Sequence, residues 1–228
     1  IVVNDLPKNT KSFYHNRRMW HKNMVREEYQ RNQILSGLND AKDNDLIIIS
    51  DNDEIPDLKN LKNIEIKKYA VFNQKFYRYK LNLLSEAQTP YQGSRIIKKK
   101  YLKGKITPQW LRYQYTKRIK PWQIHRYFTN PQVIEDGGWH FTNLKTPEEL
   151  LRKYLNDEMH SEFELKNDDL KDIEFKIKNK FINYDHLLDT KSSTEKKQNN
   201  RFDLTKVNLD ILPNYILNNL EKYKSWID

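Results

Sequence analysis

Four aliphatic residues in a row, Leu46-Ile47-Ile48-Ile49, run straight into Ser50-Asp51-Asn52-Asp53-Glu54-Ile55-Pro56. An unalternating aliphatic run bounded by turn formers is the pattern of a strand buried on both faces of an α/β sheet, and Pro56 is expected to stop it. Three carboxylates in four positions at its end repel one another and are costly unless a cation offsets them. In an extended chain Asp51 and Asp53 project to the same side, so both can reach one metal ion or its waters. Oxygen donors of this kind suit Mg2+ or Mn2+. The carboxyl ends of strands are also where open α/β sheets bind their ligands. An EF-hand loop is a poor match, because no glycine holds its sixth position. The plainer reading is a solvated acidic turn.

A second constraint comes from glycine. The 228 residues include only 5 glycines, where ordinary usage of roughly 7% would supply about 16. Two of them adjoin in Glu135-Asp136-Gly137-Gly138-Trp139-His140-Phe141, which implies a backbone that turns sharply or approaches a ligand closely. Trp139 can stack on a sugar face or simply pack. His140, flanked by aromatics, fits a satisfied core histidine as well as a metal ligand. The helical stretch Arg26-Glu27-Glu28-Tyr29-Gln30-Arg31-Asn32 leads towards the acidic strand and, read alone, is a solvated face.

The formal charge of +10 is concentrated. No Asp or Glu occurs between Glu86 and Glu135, while that window carries Arg95, Lys98, Lys99, Lys100, Lys103, Lys105, Arg112, Lys117, Arg118, Lys120 and Arg126. The rest of the chain is close to neutral. Aromatic residues from Tyr91 to Phe128 interleave with these cations, a mixture that suits nucleic acid and suits a sugar nucleotide equally well. With 12% aromatic residues the chain folds despite 32% charged residues. It has no cysteine, which excludes disulfides, thiolate chemistry and iron–sulfur ligation.

Periodicity predicts a strand tail at Ile1–Val3, a helix from Met24 to about Ala41, and then the strand at Leu46–Ile49, together a βαβ unit. Aromatic-rich strands are expected within Ile64–Asn82, and further strands and loops in the basic window. Thr146-Pro147-Glu148-Glu149 is a helix start, with a Thr cap, Pro in the first turn and Glu three residues after the cap. The helix that follows is expected to bury Leu151, Tyr154, Leu155 and Met159. Another helix is expected over about Asp168–Tyr184, a polar loop over Asp189–Asn200, and a final helix over Leu212–Ile227 opened by Pro213. One domain over 1–228 is expected, an α/β core to 145 followed by a helical part. No stretch is apolar enough to span a membrane. Ile1 opens without Met or a signal-peptide pattern, so the sequence is expected to be a fragment of a longer protein.

Taken in order, Asp5-Leu6-Pro7, Arg26–Asn32, Ser50–Pro56, Gly137–Phe141 and His160-Ser161-Glu162 resemble family 17 glycosyltransferases. That family includes the enzymes that add a bisecting β-1,4-linked N-acetylglucosamine to the core mannose of N-glycans. The resemblance implies a GT-A-like fold, with a mixed central sheet flanked by helices and an Asp-x-Asp motif at a strand end. It also implies an inverting, metal-dependent transfer of a sugar, N-acetylglucosamine first, from a UDP-sugar to a glycan, glycoprotein or other hydroxyl acceptor. Under it Asp53 ligates the metal directly, Asp51 acts through water or the ribose, and His140 is the third ligand. Arg26, Arg31 and Asn32 face the nucleotide and Arg95 grips the diphosphate. The general base is one of Asp136, Glu54 and Glu162, and Trp110, Trp122 and Trp139 are sugar platforms. Composition suggests a soluble intracellular protein, whereas the animal members work in the Golgi lumen. Lys98–Lys100 and the 189–200 loop have no counterpart in the family. The rival readings are a nucleic-acid-binding module or metal-dependent nuclease, and a non-catalytic carbohydrate-binding protein.

Overall fold

The computed structural model describes residues 18–115, 130–156, 169–183 and 201–228. The expected strand at Ile1–Val3, Asp5-Leu6-Pro7, Trp122, Met159, His160-Ser161-Glu162 and the polar loop at 189–200 lie outside them. In chain order the described strands are β1 Leu46–Ile49, β2 Glu54–Pro56, β3 Tyr69–Arg78, β4 Leu83–Leu84, β5 Tyr91–Lys98, β6 Gln132–Ile134, β7 Gly138–Thr142, β8 Phe181–Ile182, β9 Phe202–Asp203 and β10 Thr205–Lys206. The α-helices are α1 Arg18–Asn32, α2 Pro108–Arg112, α3 Pro147–Asn156, α4 Asp169–Lys178, α5 Asn214–Leu217 and α6 Leu220–Tyr223. The protein is thus mixed α/β, as its sequence implies. Two compact units are present, one of 1–50, 61–71 and 94–134, the other of 51–60, 72–93 and 135–228.

In the first unit α1 ends at Asn32, where the chain tightens into a 3-10 turn over Gln33–Gly37. The helix expected to reach Ala41 therefore stops early. The Ser36 hydroxyl donates to the Gln33 carbonyl at 2.7 Å, a local bond that competes with helix continuation. β1 pairs antiparallel with β5, from Leu46 opposite Lys98 to Ile49 opposite Arg95. Only Ile49 is fully buried and Leu46 is exposed, so β1 is not covered on both faces as its aliphatic run suggests. The strand expected before α1 is not among the described residues, so no βαβ crossover can be drawn there, and the described partner of β1 is antiparallel. Ile49, Tyr69, Ile97, Leu102 and Leu111 form the core of this unit, with Ile34, Leu38 and Trp110 packed against it. Trp110 meets Tyr69 edge to face, with ring centroids 5.7 Å apart.

In the second unit the sheet is mixed. β2 runs antiparallel to β7, β7 parallel to β3, and β3 antiparallel to β4, which is followed by β10. β8 and β9 form a separate antiparallel pair. Pro56 belongs to β2 and does not terminate β1. α3 starts as its sequence predicts, with a reciprocal capping box. The Glu149 N–H donates to Thr146 Oγ1 at 3.3 Å and the Thr146 N–H to Glu149 Oε2 at 3.1 Å. Its buried face differs from the expected one: Leu150 is completely enclosed, Leu151 and Tyr154 are partly buried, and Leu155 is exposed. α4 ends at Lys178, and after a turn with Lys180 at φ 55° the chain enters β8, so Phe181 is buried from a strand and not from a helix. The expected last helix is split into α5 and α6, with Pro213 as the N-cap of α5. At the break the Asn219 side-chain amide donates to the Tyr215 carbonyl at 2.7 Å. Two apolar clusters stabilise this unit, one around Leu83, Leu150, Ile173 and Ile182, the other around Tyr77, Phe141, Leu212 and Ile216.

Candidate functional site

The acidic stretch folds as a tight turn that feeds β2, not as an extended chain. The Glu54 N–H donates to the Asp51 carbonyl at 3.0 Å, and the Asp51 N–H donates to Glu54 Oε2 at 3.2 Å. Two hydrogen bonds between the same two residues close the turn from both ends. The alternation that puts Asp51 and Asp53 on one side of a strand therefore does not apply, and the turn itself sets where the carboxylates lie.

The turn is fixed against β7. The Phe141 N–H donates to the Asp53 carbonyl at 2.7 Å, and the ladder places Glu54 opposite His140. Across the parallel pair His140 stands opposite Phe76. The imidazole stacks on the Phe76 ring at a centroid distance of 4.5 Å and an angle of 25°, and Tyr91 lies 4.5 Å away at 46°. Aromatic contact on these sides restricts ring rotation, so the two nitrogens face fixed neighbours. Nε2 is 3.7 Å from Asp53 Oδ2 and Nδ1 is 3.9 Å from Glu54 Oε1. The side chain of Glu54 is 0% exposed and that of His140 8%, whereas Asp53 is 40% exposed. Asp53 is therefore the solvent-facing member of a group that is otherwise interior.

Gly93 lets this interior pack. A Cβ there would fall 1.7 Å from Gln74 Oε1 and 3.3 Å from the Glu54 carboxyl carbon. At the other end of the site Gly138 takes φ +115°, and a Cβ on it would come within 2.1 Å of the Ile55 carbonyl and 2.6 Å of the Asp57 nitrogen. The glycine pair thus serves the close approach of β2 to β7. Its second member is required by neighbouring backbone.

The remaining expected residues fall as follows. Asp136, at φ 45°, is exposed and ion-paired to Lys75 at 3.1 Å. Glu162 lies outside the described residues. In the first unit Arg26 is exposed on α1. Arg31 bonds Glu27 at 2.7 Å and also Gln109, and Asn32 Oδ1 accepts from the Gln109 N–H at 3.1 Å, so these two tie α1 to α2. Arg95 is fully buried; it donates to the carbonyls of Gln114 at 3.0 Å and Arg112 at 3.1 Å, and its guanidinium lies 4.8 Å from the Tyr115 ring centroid. Trp139 donates its indole N–H to the Ile211 carbonyl at 2.7 Å and packs in the second unit, and Trp110 packs in the first. Phe76, Tyr91 and Gln74 are the site residues that sequence reasoning did not single out. The aromatic density of their segments was visible, but their meeting at His140 depends on strand register.

A divalent ion is compatible with the Asp53–His140 pair. With bonds of about 2.1 Å, adjacent donors on an octahedral ion lie roughly 3.0 Å apart, so the two atoms, 3.7 Å apart, would have to close by about 0.7 Å to share one, a movement open to the part-exposed Asp53 side chain. Among the described residues no group of three or more His, Asp or Glu side chains converges to hold an ion alone. A pair of protein donors with the other positions filled by substrate phosphates and water is a common way of binding Mg2+-like ions. Comparison with protein-family models, curated proteins and solved structures found no match.

Proposed function

We propose that this chain is an inverting, metal-dependent glycosyltransferase acting on a UDP-sugar, with N-acetylglucosamine the first donor to test. The observation that carries the reading is the fixed pairing of a half-exposed aspartate with a stacked histidine, Asp53 Oδ2 to His140 Nε2, behind the acidic turn. Asp53 and His140 would hold the ion, with Asp51, two residues away, available to its waters or to the ribose. A bound Mn2+ or Mg2+ supplies charge stabilisation for the departing diphosphate.

In the transfer, the acceptor oxygen forms a bond to the anomeric carbon as the bond to the nucleoside diphosphate breaks. The hydroxyl proton goes to a carboxylate base, and configuration inverts. Asp136 is assigned this role because its carboxylate is open to solvent and therefore to an acceptor. Glu54 is enclosed, and its carboxylate closes the turn through the Asp51 N–H, so it positions Asp53 and His140. Arg26, Arg31, Asn32 and Arg95 belong to the first unit and are assigned no part in this site; Arg95 is fully buried, with its guanidinium on the carbonyls of Gln114 and Arg112.

The test is nucleotide release and product formation from UDP-sugars with Mn2+, comparing wild type with Asp53→Asn and His140→Gln. Each variant is expected to lose activity by on the order of 100-fold or more while the melting curve without ligand stays two-state. Mn2+ is also expected to bind more tightly with UDP present than alone, because the protein supplies few of its ligands. Full activity in Asp53→Asn would remove the assignment.

A further inference from the structure

Away from the acidic turn, in the first unit, two lysine groups distant in sequence come together. Lys67 and Lys68 precede β3, Lys98 ends β5, and Lys99, Lys100, Lys103 and Lys105 follow it. The Lys98 N–H donates to the Lys68 carbonyl at 3.1 Å, which brings the groups to one edge. The ring of Tyr101 lies between them, 5.9 Å from Lys68 Nζ and 5.5 Å from Lys100 Nζ. Lys67, Lys68, Lys103 and Lys105 are exposed, and the last two flank Gly104, which has a φ of +59° and open space around it. Among the described residues none of these seven lysines pairs with a carboxylate; Lys100 bonds the side-chain oxygen of Asn44 at 3.1 Å. Asp43 and Asp45 adjoin the patch. Their carbonyls hold the N–H groups of Lys100 and Lys99 at 2.9 Å, and Asp45 Oδ2 accepts from the Lys42 N–H. The cations outnumber these carboxylates.

We propose that this lysine edge docks the protein on an anionic lipid surface. The inference is independent of the transferase reading. Among the described residues of the basic window the two arginines, Arg95 and Arg112, are buried, so the accessible cations there are lysines. Such compact point charges on flexible stems suit a diffuse negative surface better than bidentate readout of a single phosphate or base. The edge also carries Tyr101 and Leu46, the latter opposite Lys98 in the β1–β5 ladder and 45% exposed. Lysine, tyrosine and an exposed aliphatic side chain together match the chemistry of a headgroup region.

The experiment is sedimentation of the full chain with vesicles of phosphatidylglycerol and phosphatidylcholine, against vesicles of phosphatidylcholine alone, at about 0.1 M salt. Retention is expected on the anionic vesicles only, with release at about 1 M salt, where the Debye length falls to about 3 Å. Lys103→Glu/Lys105→Glu is expected to weaken retention by about tenfold or more. Lys67→Glu/Lys68→Glu, on the other chain segment, is expected to act in the same direction with an unchanged melting midpoint. Absence of retention, equal retention on neutral vesicles, or indifference to both double variants overturns the proposal. Tighter binding to a random RNA than to the anionic vesicles at the same salt overturns it in favour of a nucleic-acid face.

Discussion

Gly138 shows how one residue can set the geometry of a site without touching a ligand. Its φ of +115° is accessible to glycine and strained for any L side chain, and a Cβ would meet the Ile55 carbonyl at 2.1 Å. Backbone cannot yield as a flexible side chain can. Gly138→Ala is therefore expected to destabilise the protein by about 3 kcal/mol or more, read as a lower urea midpoint at unchanged slope. Because Pro56 pairs with Gly138 and Glu54 with His140 in the same short ladder, the substitution is also expected to weaken Mn2+ binding in the fraction that stays folded. At Gly93 a Cβ would meet the Gln74 side chain first, so the obstruction there is a side chain and not backbone.

Among the elements, α3 is the one whose start was most completely written in its sequence. A Thr cap, a Pro and a Glu three residues after the cap specify local hydrogen bonds, and the structure forms both bonds of the box. Thr146→Ala is expected to cost about 1 kcal/mol in thermal or chemical unfolding, with Thr146→Ser close to neutral. Elements whose limits depend on partners were less legible. The run Leu46–Ile49 is a strand as expected, yet its aliphatic character overstated its burial, because its described neighbour is β5 and Leu46 faces solvent. α4 and the split pair α5 and α6 end where a left-handed Lys180 or an asparagine side chain intervenes. Periodicity alone does not register those events.

Across the molecule, charge is placed with more discrimination than the net +10 suggests. Among the described residues of the acid-free window, the basic side chains divide into buried arginines and lysines at one edge. In the second unit Asp228 joins separated segments. Its carboxylate meets Lys180 at 2.5 Å and Lys206 at 3.3 Å, while its N–H donates to Asn82 Oδ1 at 2.8 Å. The hydrogen bond from Lys180, reinforced by Lys206, holds the Asp228 carboxyl below its ordinary value against a smaller opposing effect of burial. A carboxyl depressed in the folded state contributes stability above its unfolded value of about 3.9, and that contribution is lost as pH falls through the folded value. Asp228→Asn is therefore expected to be less stable than wild type at neutral pH. The difference should shrink below about pH 4, as followed by melting temperature against pH.

The sequence by itself determined what short-range chemistry can specify. It placed the acidic turn after β1, the capping box of α3, the scarcity of glycine and the acid-free window, because each depends on residues a few positions apart or on composition. Tertiary structure alone decided which of these features meet. His140 comes beside Asp53 and Glu54 only because β7 pairs with β2 in one register, and a slip of one residue would turn its ring to the other face of the sheet. Phe76 and Tyr91 reach the imidazole from β3 and β5, two strands distant from it in the chain. Arg95 and the neighbouring lysines read alike in sequence, yet one is enclosed and the others gather at an edge, since burial is a property of what packs around a residue and not of the residue.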